Sequence, residues 1–177
     1  MTALDADFVR SQFPAFADAS LQGHAFFENA GGSYTCGQVI DRLHRFYTQR
    51  KVQPYGNYAA SQLGGAEMDE ARSRLAAMLN VESDELHFGP STSQNTYVLA
   101  HAFAETLSPG DVVIVTDQDH EANSGAWRRL EARGMQIREW HINRETGQLE
   151  TETLAGLLDQ SVKLVCFPHC SNIIGQE

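Results

Sequence analysis

The chain is poor in lysine. Of its thirteen basic residues only Lys51 and Lys163 are lysines, against twenty-three acidic side chains, and the net charge is -10. No stretch clusters Lys with Arg, so nucleic acid and anionic membranes are not expected as partners, because phosphate backbones are read chiefly through such clusters. Long apolar runs are also missing. Val112 to Val115 and Leu164 to Phe167 are typical of the longest, far short of the ~20 residues that a membrane-crossing helix needs. The N-terminus has no basic stretch leading into an apolar one, and a cytoplasmic protein is expected. Three cysteines, Cys36, Cys166 and Cys170, cannot all pair within one chain, so reduced thiols are expected. Cys166-x-x-His169-Cys170 has the spacing of a metal half-site, yet Cys166 falls in a strand-like run and no second ligand cluster completes a tetrahedron; no metal is expected. Neither Gly-x-x-x-x-Gly-Lys nor Gly-x-Gly-x-x-Gly occurs, which argues against the common nucleotide-binding turns.

What is present is an alternation of short apolar runs with helical patterns. A length of 177 residues with 42% hydrophobic side chains suffices for one core. Asp5 to Phe16 predicts an amphipathic helix ending near Pro14, and Ala25-Phe26-Phe27 is strand-like. Thr35 to Arg50 predicts a helix with a buried stripe of Val39, Ile40, Leu43, Phe46 and Tyr47. Another helix is expected from Gly65 to Leu79, with Gly64-Gly65 as its lead-in. Strands are then expected at Leu86 to Phe88, Val112 to Thr116, Gln136 to Ile142 and Lys163 to Phe167. Helices at Gln94 to Leu107, Asn123 to Arg133 and Thr151 to Leu158 alternate with them, Asn123 capping the second. This order implies an α/β fold, a mostly parallel sheet with helices on both faces, whose ligands gather at the carboxyl ends of the strands. The loops Gly89 to Ser93, Asp117 to Asn123 and Pro168 to Gly175 should therefore lie together. No helix follows the last strand before Glu177, which predicts a fragment of a larger domain with apolar faces left uncovered.

Glu85 to Ala100, reading ELHFGPSTSQNTYVLA, is the most informative segment. An apolar run breaks at Gly89-Pro90, and Ser91-Thr92-Ser93 leads into a helix. First-turn amides have no intrahelical partner and sit at the positive end of the macrodipole, so small hydroxyl residues there suit a phosphate-bearing ligand. Read alone, the segment is equally consistent with a plain N-cap by Ser91 or Thr92. A non-catalytic module that binds a phosphorylated ligand, or a protein partner, is an open alternative on these residues.

Thr92 and Ser93, His120 in Asp119-His120-Glu121-Ala122-Asn123, and Asn172 in Ser171-Asn172-Ile173-Ile174-Gly175 occur in that order. With Phe26-Phe27-Glu28-Asn29-Ala30-Gly31-Gly32 before them, the chain resembles the class V aminotransferases, fold-type I pyridoxal-phosphate enzymes that include the cysteine desulfurases. The resemblance spans Phe26 to Gly175. It implies pyridoxal 5'-phosphate as cofactor, with Thr92 and Ser93 holding its phosphate and the catalytic His120 stacking on its ring. It further implies that Asn172 hydrogen-bonds the ring hydroxyl and that Asn29 lies near the substrate carboxylate. Residues 1–25 become an N-terminal helix and linker, and 26–177 part of the large cofactor-binding domain. The family's ring-nitrogen aspartate and Schiff-base lysine lie beyond the loop where this sequence stops, so the 177 residues are expected to be inactive by themselves. An amino-acid substrate and a homodimer are the implied partners. Sulfur removal, transamination, cleavage and epimerisation all remain open.

Overall fold

The structure, a computed structural model, describes residues 3–177. The chain divides into two compact units, Met1–His87 and Phe88–Glu177.

In the first unit, α1 (Ala6–Ser11) is capped by Asp5, whose carboxylate accepts the Phe8 amide at 2.9 Å. The expected helix to Phe16 is shorter and continues, after a break, as a 3-10 turn at Pro14–Ala17, because a proline supplies no N–H to the preceding turn. Ala25-Phe26-Phe27 forms no strand; Phe26 instead packs on Tyr34, with ring centroids 5.0 Å apart. α2 (Gly37–Arg45) runs into a π-helical turn, Phe46–Arg50. Its apolar stripe has the expected helical spacing but is not buried: Val39, Ile40, Leu43, Phe46 and Tyr47 are all exposed. Periodicity shows which side of a helix is apolar, whereas burial needs a second surface to cover it. α3 (Ala59–Leu79) starts well before the expected Gly65. Gly64-Gly65 is thus helix interior, and a Cβ on Gly65 would lie 2.6 Å from the Tyr55 ring. The glycine's helix cost is accepted because it lets that aromatic ring lie against the backbone.

The second unit carries the sheet. α4 (Thr92–Ala104), β1 (Val112–Thr116), α5 (Glu121–Arg128), β2 (Gln136–Trp140), α6 (Thr151–Leu157) and β3 (Val162–Val165) follow in sequence. The strands are parallel in the order β2-β1-β3. Leu86 to Phe88 is not a strand: it has no ladder partner, so the sheet has three strands among the described residues rather than the four expected. The first crossover runs from β1 out to β2 and the second returns from β2 past β1 to β3, so the two move in opposite directions across the sheet, and right-handed connections then put α5 and α6 on opposite faces.

Burial follows from that arrangement. All five residues of β1 are buried. Val113 and Val115 pack with Ala100, Ala104, Trp127, Leu130 and Met135 on one face. Val112 and Ile114 pack with Trp140, Leu154, Leu157, Val162 and Val165 on the other. A central strand with both faces covered reads as a continuous apolar run, which is why VVIVT was legible. The Arg128 guanidinium grips Glu139 through two 3.0 Å hydrogen bonds and fastens α5 to β2. No described helix is long and apolar enough to cross a membrane.

A second polar tie predicts an acid-sensitive corner. Arg138 of β2 donates to the Leu157 carbonyl and to Asp159, each at 2.8 Å, while the Ser161 hydroxyl and amide donate to the same carboxylate. The Ser161 hydroxyl first, and Arg138 second, hold Asp159 down from 3.8 to about 2. A depressed carboxylate stabilises fully above its unfolded pKa and loses that contribution as pH falls through the folded value. Melting temperature should therefore fall more steeply between about pH 4 and about pH 2 in the wild type than in Asp159→Asn. Identical acid limbs in the two proteins would refute the clamp.

Candidate functional site

α4 begins at Thr92 because Ser91 is extended and its hydroxyl accepts the Gln94 amide at 3.2 Å. This cap leaves the amides of Thr92 and Ser93 in the first turn without intrahelical acceptors. Neither of their hydroxyls makes a hydrogen bond among the described residues. Two amides, two free hydroxyls and a helix N-terminus form a donor set with the chemistry of an anion site.

His120 ends the loop after β1 and caps α5. Its Nδ1 accepts the Ala122 amide at 3.0 Å, which leaves the ring proton on Nε2. The expected cap was Asn123, and the structure corrects this. Asn123 lies inside α5, donating to Asp119 at 2.5 Å and accepting from the Trp127 indole at 3.3 Å. The helix starts at His120 because the imidazole reaches the amide that a shorter polar side chain would otherwise take. Ser93 and His120 face one cleft of about 320 Å³, with Tyr97 of α4, Glu121, Ala122, Gly125 and Ala126 of α5, and Arg129 at that helix's C-cap. Ala122, Gly125 and Ala126 share one face of α5, and their small side chains leave the groove its width.

Burial shapes the acidity behind the imidazole. Desolvation raises the Asp119 carboxyl against the opposing hydrogen bond from Asn123. Cys166, at the carboxyl end of β3, is pushed up to about 12 by burial and then by the Asp119 charge. A thiol held that high is a packing group, not a nucleophile, at neutral pH. No described cluster of His, Cys, Asp or Glu is arranged to hold a metal.

Asn172 is exposed in the loop after β3 and does not line the cleft. Its loop is nonetheless tied to the His120 loop, since the neighbouring Ser171 hydroxyl donates to the Gln118 carbonyl at 2.7 Å. Asn29 belongs to the first unit. There it accepts the Ser33 hydroxyl at 3.1 Å and lines an aromatic-walled hollow of about 230 Å³ with Phe13, Phe16, Phe26 and Tyr34. Sequence reasoning missed Tyr97, Arg129, Ser171 and Gln118. Tyr97 could have been found from its i+4 spacing to Ser93, whereas nothing local marks Ser171 or Gln118.

Residues 25–177 match the protein family described as aminotransferase class-V. The chain belongs to this family. Among class-V relatives, the cysteine desulfurase of Serratia proteamaculans is 33% identical over 172 residues, covering 94% of this chain and 42% of that protein. An aminotransferase-like protein of Gibberella zeae, FGM3, is 35% identical over 173 residues, with the same 94% and 42% coverage. The chain thus spans about two fifths of the length of these curated relatives. The crystal structure of the cysteine desulfurase CsdA from Escherichia coli superposes with a TM-score of 0.80 at 22% identity, covering 98% of this chain and 43% of that one. That likeness shows the fold, an α/β arrangement matching part of the fold-type I pyridoxal-phosphate enzymes. The class-V family uses pyridoxal 5'-phosphate. The residues present suit that group in part. The amides and hydroxyls at Thr92 and Ser93 suit its phosphate, and Gln118 carries a buried amide nitrogen without an acceptor beside the same loops. A covalent anchor is missing from the set: Lys163 donates to the Gln160 carbonyl at 3.0 Å at the opposite end of β3, and Lys51 lies 5.3 Å over the Tyr47 ring.

Proposed function

We propose that the protein carrying this chain is a pyridoxal-phosphate enzyme acting on an amino acid, of the cysteine desulfurase or class-V aminotransferase kind. The observation that carries this reading is the cleft that joins the donor-rich start of α4 to the imidazole of His120. Thr92 and Ser93 bind the phosphate through amides and hydroxyls. His120 lays its ring on the cofactor and, with its proton on Nε2, is the catalytic group that can carry a proton to or from the reacting face. Asn172 donates to the ring hydroxyl, and Asn29 stands near the substrate carboxylate. When bound, the cofactor supplies an electron sink for bonds at the substrate α-carbon. Residues 26–177 form part of the cofactor-binding domain, and the tethering lysine comes from outside these 177 residues, which are inactive without it. The working protein is a cytoplasmic homodimer.

The test uses the protein expressed from its complete reading frame. Purified material should absorb in the near-visible, and borohydride should fix the cofactor irreversibly to one lysine, identified by peptide mass. A colourless protein that takes up no added pyridoxal 5'-phosphate would sink the proposal.

A further inference from the structure

One side chain anchors the loop after β3. Ser171 is 1% exposed, and its hydroxyl donates to the backbone carbonyl of Gln118, 53 residues earlier in the chain. The same oxygen accepts the amides of Ile173 at 3.2 Å and Ile174 at 3.4 Å. The Ser171 backbone closes the turn: its N–H donates to the Gln176 carbonyl and its carbonyl accepts the Gly175 N–H, both at 2.8 Å. Gly175 has φ of 70°, the left-handed backbone this turn requires. The other end of the joint is equally restrained. The Gln118 backbone N–H donates to the hydroxyl of the fully buried Thr116 at 2.9 Å, which ties the chain at Gln118 back to the last residue of β1.

Asn172 directly follows Ser171, and His120 follows Gln118 by two residues. We propose that Ser171 is a positioning residue whose hydroxyl keys the Asn172 loop to the His120 loop, so that both side chains meet one flat ligand from fixed positions. This inference rests on the cofactor reading above, because it is the cofactor ring that both side chains would contact. An apolar contact could bury the turn equally well, but it lacks the directionality with which a hydrogen bond sets one loop against the other. The role calls for a hydroxyl that donates once and accepts twice. Alanine breaks all three bonds and leaves the Gln118 carbonyl unpaired. Threonine keeps the hydroxyl and adds a methyl group.

The experiment compares wild type, Ser171→Ala and Ser171→Thr in the protein expressed from its complete reading frame. Hydrogen exchange followed by mass spectrometry reads three segments, 112–116, 117–123 and 168–177. In Ser171→Ala the two loop segments should exchange about tenfold faster, as expected when a buried carbonyl loses its partner, while 112–116 stays at the wild-type rate. Affinity for pyridoxal 5'-phosphate, titrated by absorbance, should fall about tenfold in the same variant and stay within about threefold of wild type in Ser171→Thr. Faster exchange confined to 168–177, or a Ser171→Ala protein that binds as wild type, overturns the joint. If the wild type itself takes up no cofactor, the functional reading fails, and the two loop segments alone then judge whether Ser171 couples them.

Discussion

Ile114→Ala should unfold the second unit at a denaturant concentration at which the wild type is still native. Ile114 is the middle residue of the middle strand and is fully buried. Its side chain faces Trp140, Leu154, Leu157, Val162 and Val165, so it is where β2, β3 and α6 meet. Truncating a buried isoleucine removes transfer free energy and leaves a cavity that the surroundings fill only in part, together about 3 to 4 kcal/mol. Against the ~5–15 kcal/mol of a typical domain, that is a large share. The chain's two tryptophans, Trp127 and Trp140, lie in the two apolar layers on opposite faces of the sheet, so fluorescence reports both layers during denaturation. Val81→Ala, at an exposed position of the first unit, is the control and should change stability by less than about 0.5 kcal/mol. An Ile114→Ala midpoint equal to that of wild type would show that the three-stranded core does not hold this unit together.

The second large effect is on binding. Ser93→Asp should abolish uptake of pyridoxal 5'-phosphate while leaving the fold intact or slightly stabilised. A carboxylate in the first turn of α4 interacts favourably with the helix dipole, by about 0.3–1 kcal/mol. The same carboxylate sits where the phosphate would bind. Two like charges a few ångströms apart at the surface repel by about 3 kcal/mol or more, a loss of at least ~100-fold in affinity. Ser93→Ala removes only one hydroxyl donor and should cost about 1 kcal/mol, or roughly fivefold. The informative pattern is therefore opposite signs: a melting temperature unchanged or raised, with binding lost. An aspartate variant that binds the cofactor like the wild type would place the phosphate elsewhere.

The candidate site was legible to different depths at different residues. The start of α4 could be read from Ser91-Thr92-Ser93 because capping is a local transaction between one hydroxyl and an amide three residues on. β1 could be read because a strand buried on both faces leaves an unbroken apolar run. Leu86-His87-Phe88 carried a shorter, alternating strand signal and formed no strand, since a strand exists only where a neighbouring backbone supplies hydrogen bonds. Asn123 has the usual composition of a cap, yet its amide is engaged with Asp119 and Trp127, and His120 caps instead. The stripe on α2 was read correctly as apolar and wrongly as buried, because nothing in its spacing reveals what lies opposite.

By itself, the amino-acid sequence determined the main helices and the three strands that pair, the alternation that makes a parallel sheet, and the phosphate-suited start of α4. These depend on contacts within a few residues, where propensity and capping act. Tertiary structure alone decided the order β2-β1-β3, the shared cleft of Ser93 and His120, and the bond from Ser171 to Gln118. Those depend on which distant segments come within hydrogen-bonding or packing distance, and contacts across tens of residues leave no periodic trace along the chain.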